Sequence, residues 1–138
     1  MFNSLDTLLI KVASRCNLDC SYCYVYQGQD QNWVDQPKRI NTETIDSICK
    51  NIDQITTFQS KGFAVVLHGG EPLLLGSIKL EEILSKLRVV LPNYDKYPIA
   101  IQTNGILLND EVIEICSHYK TSISVSLDGV KKSNDIAR

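Results

Sequence analysis

Short apolar runs alternate along the chain with longer segments in which apolar residues recur at helical spacing. Short, nearly continuous apolar runs predict buried strands at 8–12, 63–67, 99–103 and 121–127. Three intervening segments carry apolar residues at helical spacing, which predicts amphipathic helices. Buried strands that alternate with such helices are typical of a parallel sheet covered by helices. The pattern therefore predicts an α/β fold with about four parallel strands and three helices.

The helices carry their own boundary signals. Asn41 can cap the first helix, Pro92 bounds the second, and Asn109 can cap the third. Cys49 and Cys116 fall on apolar helix faces, so we expect both to pack in the core. His118 is expected at the surface. The three apolar faces consist of Ile45, Ile48, Cys49, Ile52 and Ile55, then Leu80, Ile83, Leu84 and Leu87, then Val112, Ile115, Cys116 and Tyr119.

Length and charge narrow the functional classes. The 138 residues suit one domain, and 43% hydrophobic with 22% charged residues is ordinary for a globular chain. A net charge of −2 disfavours binding to nucleic acid through phosphates. No apolar run is long enough to cross a bilayer, and Met1–Asp6 lacks the features of a secretory signal. We therefore expect a cytoplasmic protein that uses neither nucleic acid nor membrane as a partner.

Polar, chemically distinctive segments follow each predicted strand. They are Cys16–Cys23, His68–Pro72, Gln102–Gly105 and Ser126–Gly129. In parallel α/β folds the carboxyl ends of the strands meet at one edge, which is where ligands bind. The sequence therefore predicts one shared site at this edge.

Three of the five cysteines, Cys16, Cys20 and Cys23, lie within eight residues with the spacing C-x₃-C-x₂-C. An odd, clustered set indicates metal or redox chemistry more than a disulfide framework. Three thiolates can hold three irons of a [4Fe–4S] cluster and leave the fourth iron open to a small molecule. A structural zinc site with His68 as fourth ligand is an alternative. Simple core packing is a third possibility, which the polar residues between the cysteines disfavour.

The cysteine segment resembles the signature of the radical S-adenosylmethionine (SAM) superfamily. Asn17, Tyr22 and Tyr24 fit that signature, and His68–Pro72 resembles the GGEP segment of the family. Gln102–Gly105 and the segment 124–129 resemble its motifs on the third and fourth strands. The likeness covers nearly the whole chain.

The resemblance implies a partial (β/α)₆ TIM-like barrel, of which residues 1–138 would be the N-terminal portion. We therefore expect the chain to belong to a longer protein that completes the barrel. The implied cofactors are a [4Fe–4S] cluster held by the three cysteines and SAM chelated to the open iron. The resemblance further implies that an electron from a reductant such as flavodoxin or ferredoxin would cleave SAM, and that the resulting 5′-deoxyadenosyl radical would abstract hydrogen from the substrate.

The resemblance also implies roles at the SAM site. Gly69 and Gly70 would let the backbone approach the ligand closely, and Glu71 would hold the methionine ammonium. Turn formation is the alternative for this segment. Arg138 would pair with the methionine carboxylate, although Asn134 stands where relatives often have His. The remaining expected SAM contacts are Tyr22 near the adenine, Ser126, and Gln102 and Asn104, for which turn capping is equally open.

Residues on either side of the cysteines point to one branch of the family. The stretch 11–15 and the segment with Tyr26, Asp30, Trp33 and Pro37 resemble peptide-modifying enzymes that carry a SPASM-type region. Tyr26 and Trp33 either border a substrate opening or anchor the loop. The resemblance favours crosslinking of a peptide or protein substrate. A sulfatase-maturing, formylglycine-generating enzyme is the alternative within the family, and a non-catalytic zinc-stabilised binding domain is the alternative outside it.

Overall fold

A computed structural model describes residues 4–138 as one four-stranded parallel sheet with the order β1-β2-β3-β4. Part of Met1–Asp6, namely residues 1–3, lies outside the described residues. The strands confirm the predicted α/β fold with only small shifts of boundary. They are β1 (Thr7–Ala13), β2 (Ala64–Gly69), β3 (Ile99–Thr103) and β4 (Thr121–Val125).

Three helices connect the strands, as the apolar spacing predicts. They are α1 (Thr42–Phe58), α2 (Ser77–Val90) and α3 (Asp110–His118). Both predicted asparagine caps are confirmed, because Asn41 accepts from the Thr44 amide at 2.8 Å and Asn109 from the Val112 amide at 3.0 Å. No helix in residues 4–138 is both long and apolar enough to cross a membrane.

The hydrophobic core lies on one face of the sheet. Alternate strand residues such as Val12, Val65 and Ile101 are fully buried there with the apolar faces of the three helices. Cys49 and Cys116 belong to this core, and His118 is exposed, as predicted. Because side chains alternate along a strand, the intervening residues point to the opposite face. On that face the strand register pairs polar residues, Lys11 with His68 and Gln102 with Ser124.

The chain departs from the sequence prediction after the fourth strand. β4 ends at Val125 and not at Leu127, and an unpredicted helix α4 (Lys131–Ala137) follows. This segment has no apolar stripe, so hydrophobic periodicity could not reveal it. Its polar contacts are local: Lys131 pairs with Asp135, and the Asn134 side chain accepts from the Asp128 amide at 3.2 Å. Short 3₁₀ helices also occur at Asn32–Asp35, inside a predicted loop, and at Pro72–Leu75.

A buried arginine fastens α2 to the start of β4. The Arg88 guanidinium donates to the carbonyls of Tyr119 and Lys120 at 2.8 Å each and of Tyr97 at 2.9 Å. We expect Arg88→Met to lower the free energy of unfolding by about 3 kcal/mol, because buried carbonyls lose their donors. Urea denaturation measures this loss. Lys50→Met, at an exposed site on α1, is the control and should change stability by less than about 0.5 kcal/mol; an equal effect would contradict the role of Arg88.

Candidate SAM and cluster site

The segment after β2 runs alongside the beginning of the cysteine loop (residues 16–23). The Gly70 amide donates to the Ala13 carbonyl at 3.0 Å, and the Glu71 amide donates to the Arg15 carbonyl at 2.9 Å. These bonds continue the β1–β2 pairing beyond the ends of both strands. The backbone immediately before Cys16 is therefore fixed by the glycine-containing segment.

Both glycines are needed for this close approach. A Cβ on Gly69 would lie 2.2 Å from the Ala13 carbonyl oxygen, and the φ of Gly69 is +147°. A Cβ on Gly70 would lie 1.9 Å from the Tyr26 hydroxyl and 2.4 Å from the Arg15 carbonyl oxygen. From the sequence we expect these glycines to let the backbone approach a ligand closely. In the described chain the approach is to β1, the start of the cysteine loop and Tyr26.

We expect Gly70→Val to displace the cysteine loop and to weaken SAM binding at least tenfold, since the added side chain overlaps the Arg15 carbonyl. Equilibrium dialysis with labelled SAM on the iron-reconstituted protein measures this. Gly76→Ala is the control, because a Cβ there meets nothing within 4 Å and only its φ of +78° adds strain. SAM affinity that is unchanged in Gly70→Val would show that the close approach is dispensable.

Glu71 is fully buried, and its carboxylate connects three parts of the site. Oε1 accepts from the Leu73 amide at 2.9 Å and from the Thr103 hydroxyl at 2.6 Å, and Oε2 accepts from the Asn104 amide at 2.8 Å. The sequence predicts that this carboxylate holds an ammonium group of SAM. The structure shows it bonded to three protein donors, which joins the glycine segment to the end of β3.

The end of β3 in turn contacts the cysteine loop and β4. The side-chain amide nitrogen of Asn104 donates to the Asn17 side-chain oxygen at 2.8 Å and lies 3.8 Å from the Cys16 sulfur. Gln102 donates to the Ser126 hydroxyl at 2.6 Å. The polar segments that follow the four strands therefore meet at one edge, as the parallel topology predicts.

Asp128 is a member of this edge that the sequence analysis did not single out. Its carboxylate accepts a hydrogen bond from the Tyr22 hydroxyl and pairs with Arg138 at 3.2 Å. The hydrogen bond to Asp128 and partial desolvation raise the pKa of Tyr22 to about 12. The segment Ser126–Gly129, singled out as a motif, contained Asp128, but only the fold shows that it connects the cysteine loop to α4.

Two separate cavities open near the edge. Asn104, Ser126 and Arg138, three of the predicted SAM contacts, line a small cavity of about 110 Å³. Gly69 and Gly70 line a larger one of about 650 Å³ that extends along β1. Tyr22, Glu71 and Gln102 line neither cavity. The hydrogen bonds described above connect them to the residues that line the small cavity.

The three thiols of the cysteine loop are more exposed than those of the other two cysteines. Cys16, Cys20 and Cys23 are partly exposed and form no disulfide, whereas burial raises the pKa of Cys49 and Cys116. Burial and the nearby Cys16 and Cys23 raise the pKa of Tyr26 to about 12. Within residues 4–138, no three His, Cys, Asp or Glu side chains are gathered as a metal-ion site. The donor chemistry of three accessible thiols in one loop suits iron–sulfur ligation.

Comparison with known proteins agrees with this geometry. The sequence profile of the radical SAM superfamily matches residues 10–138. The chain belongs to the radical SAM superfamily. It is 30% identical over 136 residues to a cysteine-type anaerobic sulfatase-maturating enzyme of Clostridium perfringens, covering 96% of this chain and 35% of that protein. It is 31% identical over 129 residues to a GTP 3′,8-cyclase of the same species, covering 93% and 36%.

Radical SAM architecture is also evident from a solved structure. Native anSMEcpe with bound AdoMet and Cp18Cys peptide superposes with a TM-score of 0.73 at 27% identity, covering 97% of this chain and 34% of that one. The chain spans about a third of the length of these relatives. The fold therefore matches part of the radical SAM barrel. Radical SAM proteins use a [4Fe–4S] cluster and SAM, and the cysteines that such a cluster requires are present.

Proposed function

We propose that this chain holds a [4Fe–4S] cluster on Cys16, Cys20 and Cys23, binds SAM at the adjacent strand ends, and serves an enzyme that modifies a peptide or protein. The observation that carries the proposal is the hydrogen-bonded edge. Asn104 contacts Asn17 of the cysteine loop, and Glu71 fixes Asn104. The cysteine loop and predicted SAM contacts are thereby connected within one hydrogen-bonded network.

Each group at the edge has a distinct task in this proposal. The thiolates hold the cluster, which when bound supplies the electron for cleavage of the SAM sulfonium. Arg138 and Ser126 orient the methionine end and Tyr22 lies beside the adenine, while Asn104 and Gln102 contact the adenosine. Asp128 holds Tyr22 and Arg138 together and fixes the distance between them. A small reductant protein, such as a flavodoxin or ferredoxin, supplies the electron.

Support for a peptide substrate comes from the sequence around the cysteines and from the peptide-bound state of anSMEcpe. Crosslinking of side chains is the transformation we favour. Formylglycine formation is the second candidate, because the sulfatase-maturating enzyme of C. perfringens is 30% identical. The GTP 3′,8-cyclase of the same species is 31% identical, and its name denotes a nucleotide substrate. A non-catalytic zinc domain is disfavoured, because the family match extends over residues 10–138.

Anaerobic reconstitution with iron and sulfide tests the cofactor part. We expect broad visible absorption that dithionite bleaches, and an electron paramagnetic resonance signal of the reduced cluster that SAM alters. A colourless protein that binds zinc would overturn the proposal.

The transformation itself is tested with the full-length protein that contains this chain. Mass spectrometry of its peptide substrate distinguishes the candidates, because a crosslink removes two hydrogens and leaves a cyclic fragmentation pattern. Formation of formylglycine instead converts one Cys or Ser to an aldehyde that reacts with hydrazides. Turnover of a nucleotide with no change in any peptide would overturn the peptide assignment and leave the cofactor assignment intact.

A further inference from the structure

The larger cavity, of about 650 Å³, is lined by Gly69 and Gly70 of the expected SAM contacts but by none of the others. One wall is β1 with the end of β2, and the other is residues 24–37, the segment that follows the cysteine loop (hereafter the cover segment), together with residues 39–44. Arg15 holds the cover segment, since its guanidinium donates to the carbonyls of Trp33 at 2.6 Å and Val34 at 2.8 Å. None of Asn104, Ser126 and Arg138 lines this cavity.

Three buried polar atoms around this cavity have no hydrogen-bond partner among residues 4–138. They are the Tyr26 hydroxyl, the Trp33 indole nitrogen and Nδ1 of His68, and all three residues line the cavity. Tyr26 and Trp33 also pack edge to face at 4.8 Å, which fixes their directions. Buried polar groups are nearly always paired, so three unpaired ones around one space indicate a ligand. The indole N–H can only donate and the phenol can donate, so the ligand offers acceptors.

The charges around the cavity indicate an anionic acceptor. Lys11 and Arg39 line it, against the single carboxylate of Asp30, and all three residues are exposed. The Asp30 carboxylate accepts from the Asn32 amide at 3.0 Å. Lys11 is the charged residue within an otherwise apolar strand, and its register partner on β2 is His68. In residues 4–138 Lys11 forms no ion pair within 4.0 Å. A lysine on the strand face opposite the core, next to an unpaired histidine, suits recognition of a negative group.

We propose that this cavity binds a carboxylate of the substrate, a proposal that rests on the peptide or protein substrate proposed above. Lys11 supplies the charge, and Trp33, Tyr26 and His68 supply hydrogen bonds that fix its orientation. The carboxylate belongs either to an internal acidic side chain or to the chain terminus. In both cases the cavity would anchor the substrate beside the glycine segment, close to the cluster.

The single tryptophan gives a direct readout. Trp33 is the only tryptophan of the chain, so its indole N–H gives one resonance in a nitrogen–proton NMR spectrum. At constant ionic strength, N-acetyl-L-glutamate N-methylamide offers an internal acidic side chain and N-acetyl-L-glutamine offers a terminal carboxylate. N-acetyl-L-glutamine N-methylamide offers neither. We expect the Trp33 indole resonance to shift saturably with one or both of the carboxylate probes and not to shift with the neutral probe.

Variants locate the binding. Lys11→Met should weaken carboxylate binding about tenfold or more, while Lys11→Arg should keep most of it. Lys50→Met removes an equivalent charge from exposed α1 and should leave the titration unchanged. Circular dichroism of each variant checks folding, and the Arg variant distinguishes loss of charge from loss of structure.

The outcomes separate this site from the SAM site. Equal shifts with the neutral probe, no shift with any probe, or equal weakening by Lys50→Met would overturn the carboxylate proposal. The titration is repeated on reconstituted protein saturated with SAM, where we expect binding to persist; competition by SAM would overturn a separate substrate site. Cluster content and SAM binding, measured on the same preparation, test the proposed function independently.

Discussion

Replacing any one of Cys16, Cys20 and Cys23 with Ala should reduce bound iron after anaerobic reconstitution to the background level. A cluster with three protein ligands already has one iron without a side chain, so two thiolates leave it poorly held. The three thiols are accessible and lie in one loop whose start is fixed by the Glu71–Arg15 backbone bond. Iron and sulfide per chain, together with visible absorption, measure the effect.

The other two cysteines are the matched controls. Cys49 and Cys116 lie in the core, and burial raises their pKa, which disfavours the thiolate form that binds metal. Cys49→Ala and Cys116→Ala should keep full iron content and cost only about 1 kcal/mol of packing. Loss of iron in Cys49→Ala, with the fold intact, would show that the ligand assignment is wrong.

Replacing Glu71 with Ala should produce the second large effect, a loss of about 3 kcal/mol or more in the free energy of unfolding of the cofactor-free protein. The carboxylate is fully buried, and its removal leaves three donors unpaired, on Leu73, Thr103 and Asn104. SAM binding should weaken as well, because Asn104 loses the bond that places it against the cysteine loop.

Glu81→Ala, at an exposed position of α2, is the control and should change neither property. Glu71→Gln should lie between Glu71→Ala and the unaltered protein in stability, since its amide keeps one acceptor but presents N–H groups to another donor. If Glu71→Ala left unfolding unchanged and weakened only SAM binding, the carboxylate would act directly on the ligand, as the sequence predicts.

The local sequence pattern was sufficient to predict the strands and helix caps of this protein. Strands β1 to β4 are short apolar runs, and the caps at Asn41 and Asn109 are local side chain to backbone bonds, so each can be read from neighbouring residues. The cysteine motif and the segment His68–Pro72 are each contiguous in sequence, which made the family recognisable. Parallel topology then predicted that the polar segments share one edge.

Tertiary structure decided the features that depend on distant residues. Helix α4 lacks an apolar stripe, and Glu71 is revealed as a buried connector only by its contacts with Thr103 and Asn104, more than thirty residues later. The cavity beside Lys11 exists because the cover segment lies against β1 and β2. Sequence patterns report local preference for burial and turn formation, whereas hydrogen bonds between strand ends depend on how the whole sheet brings those ends together.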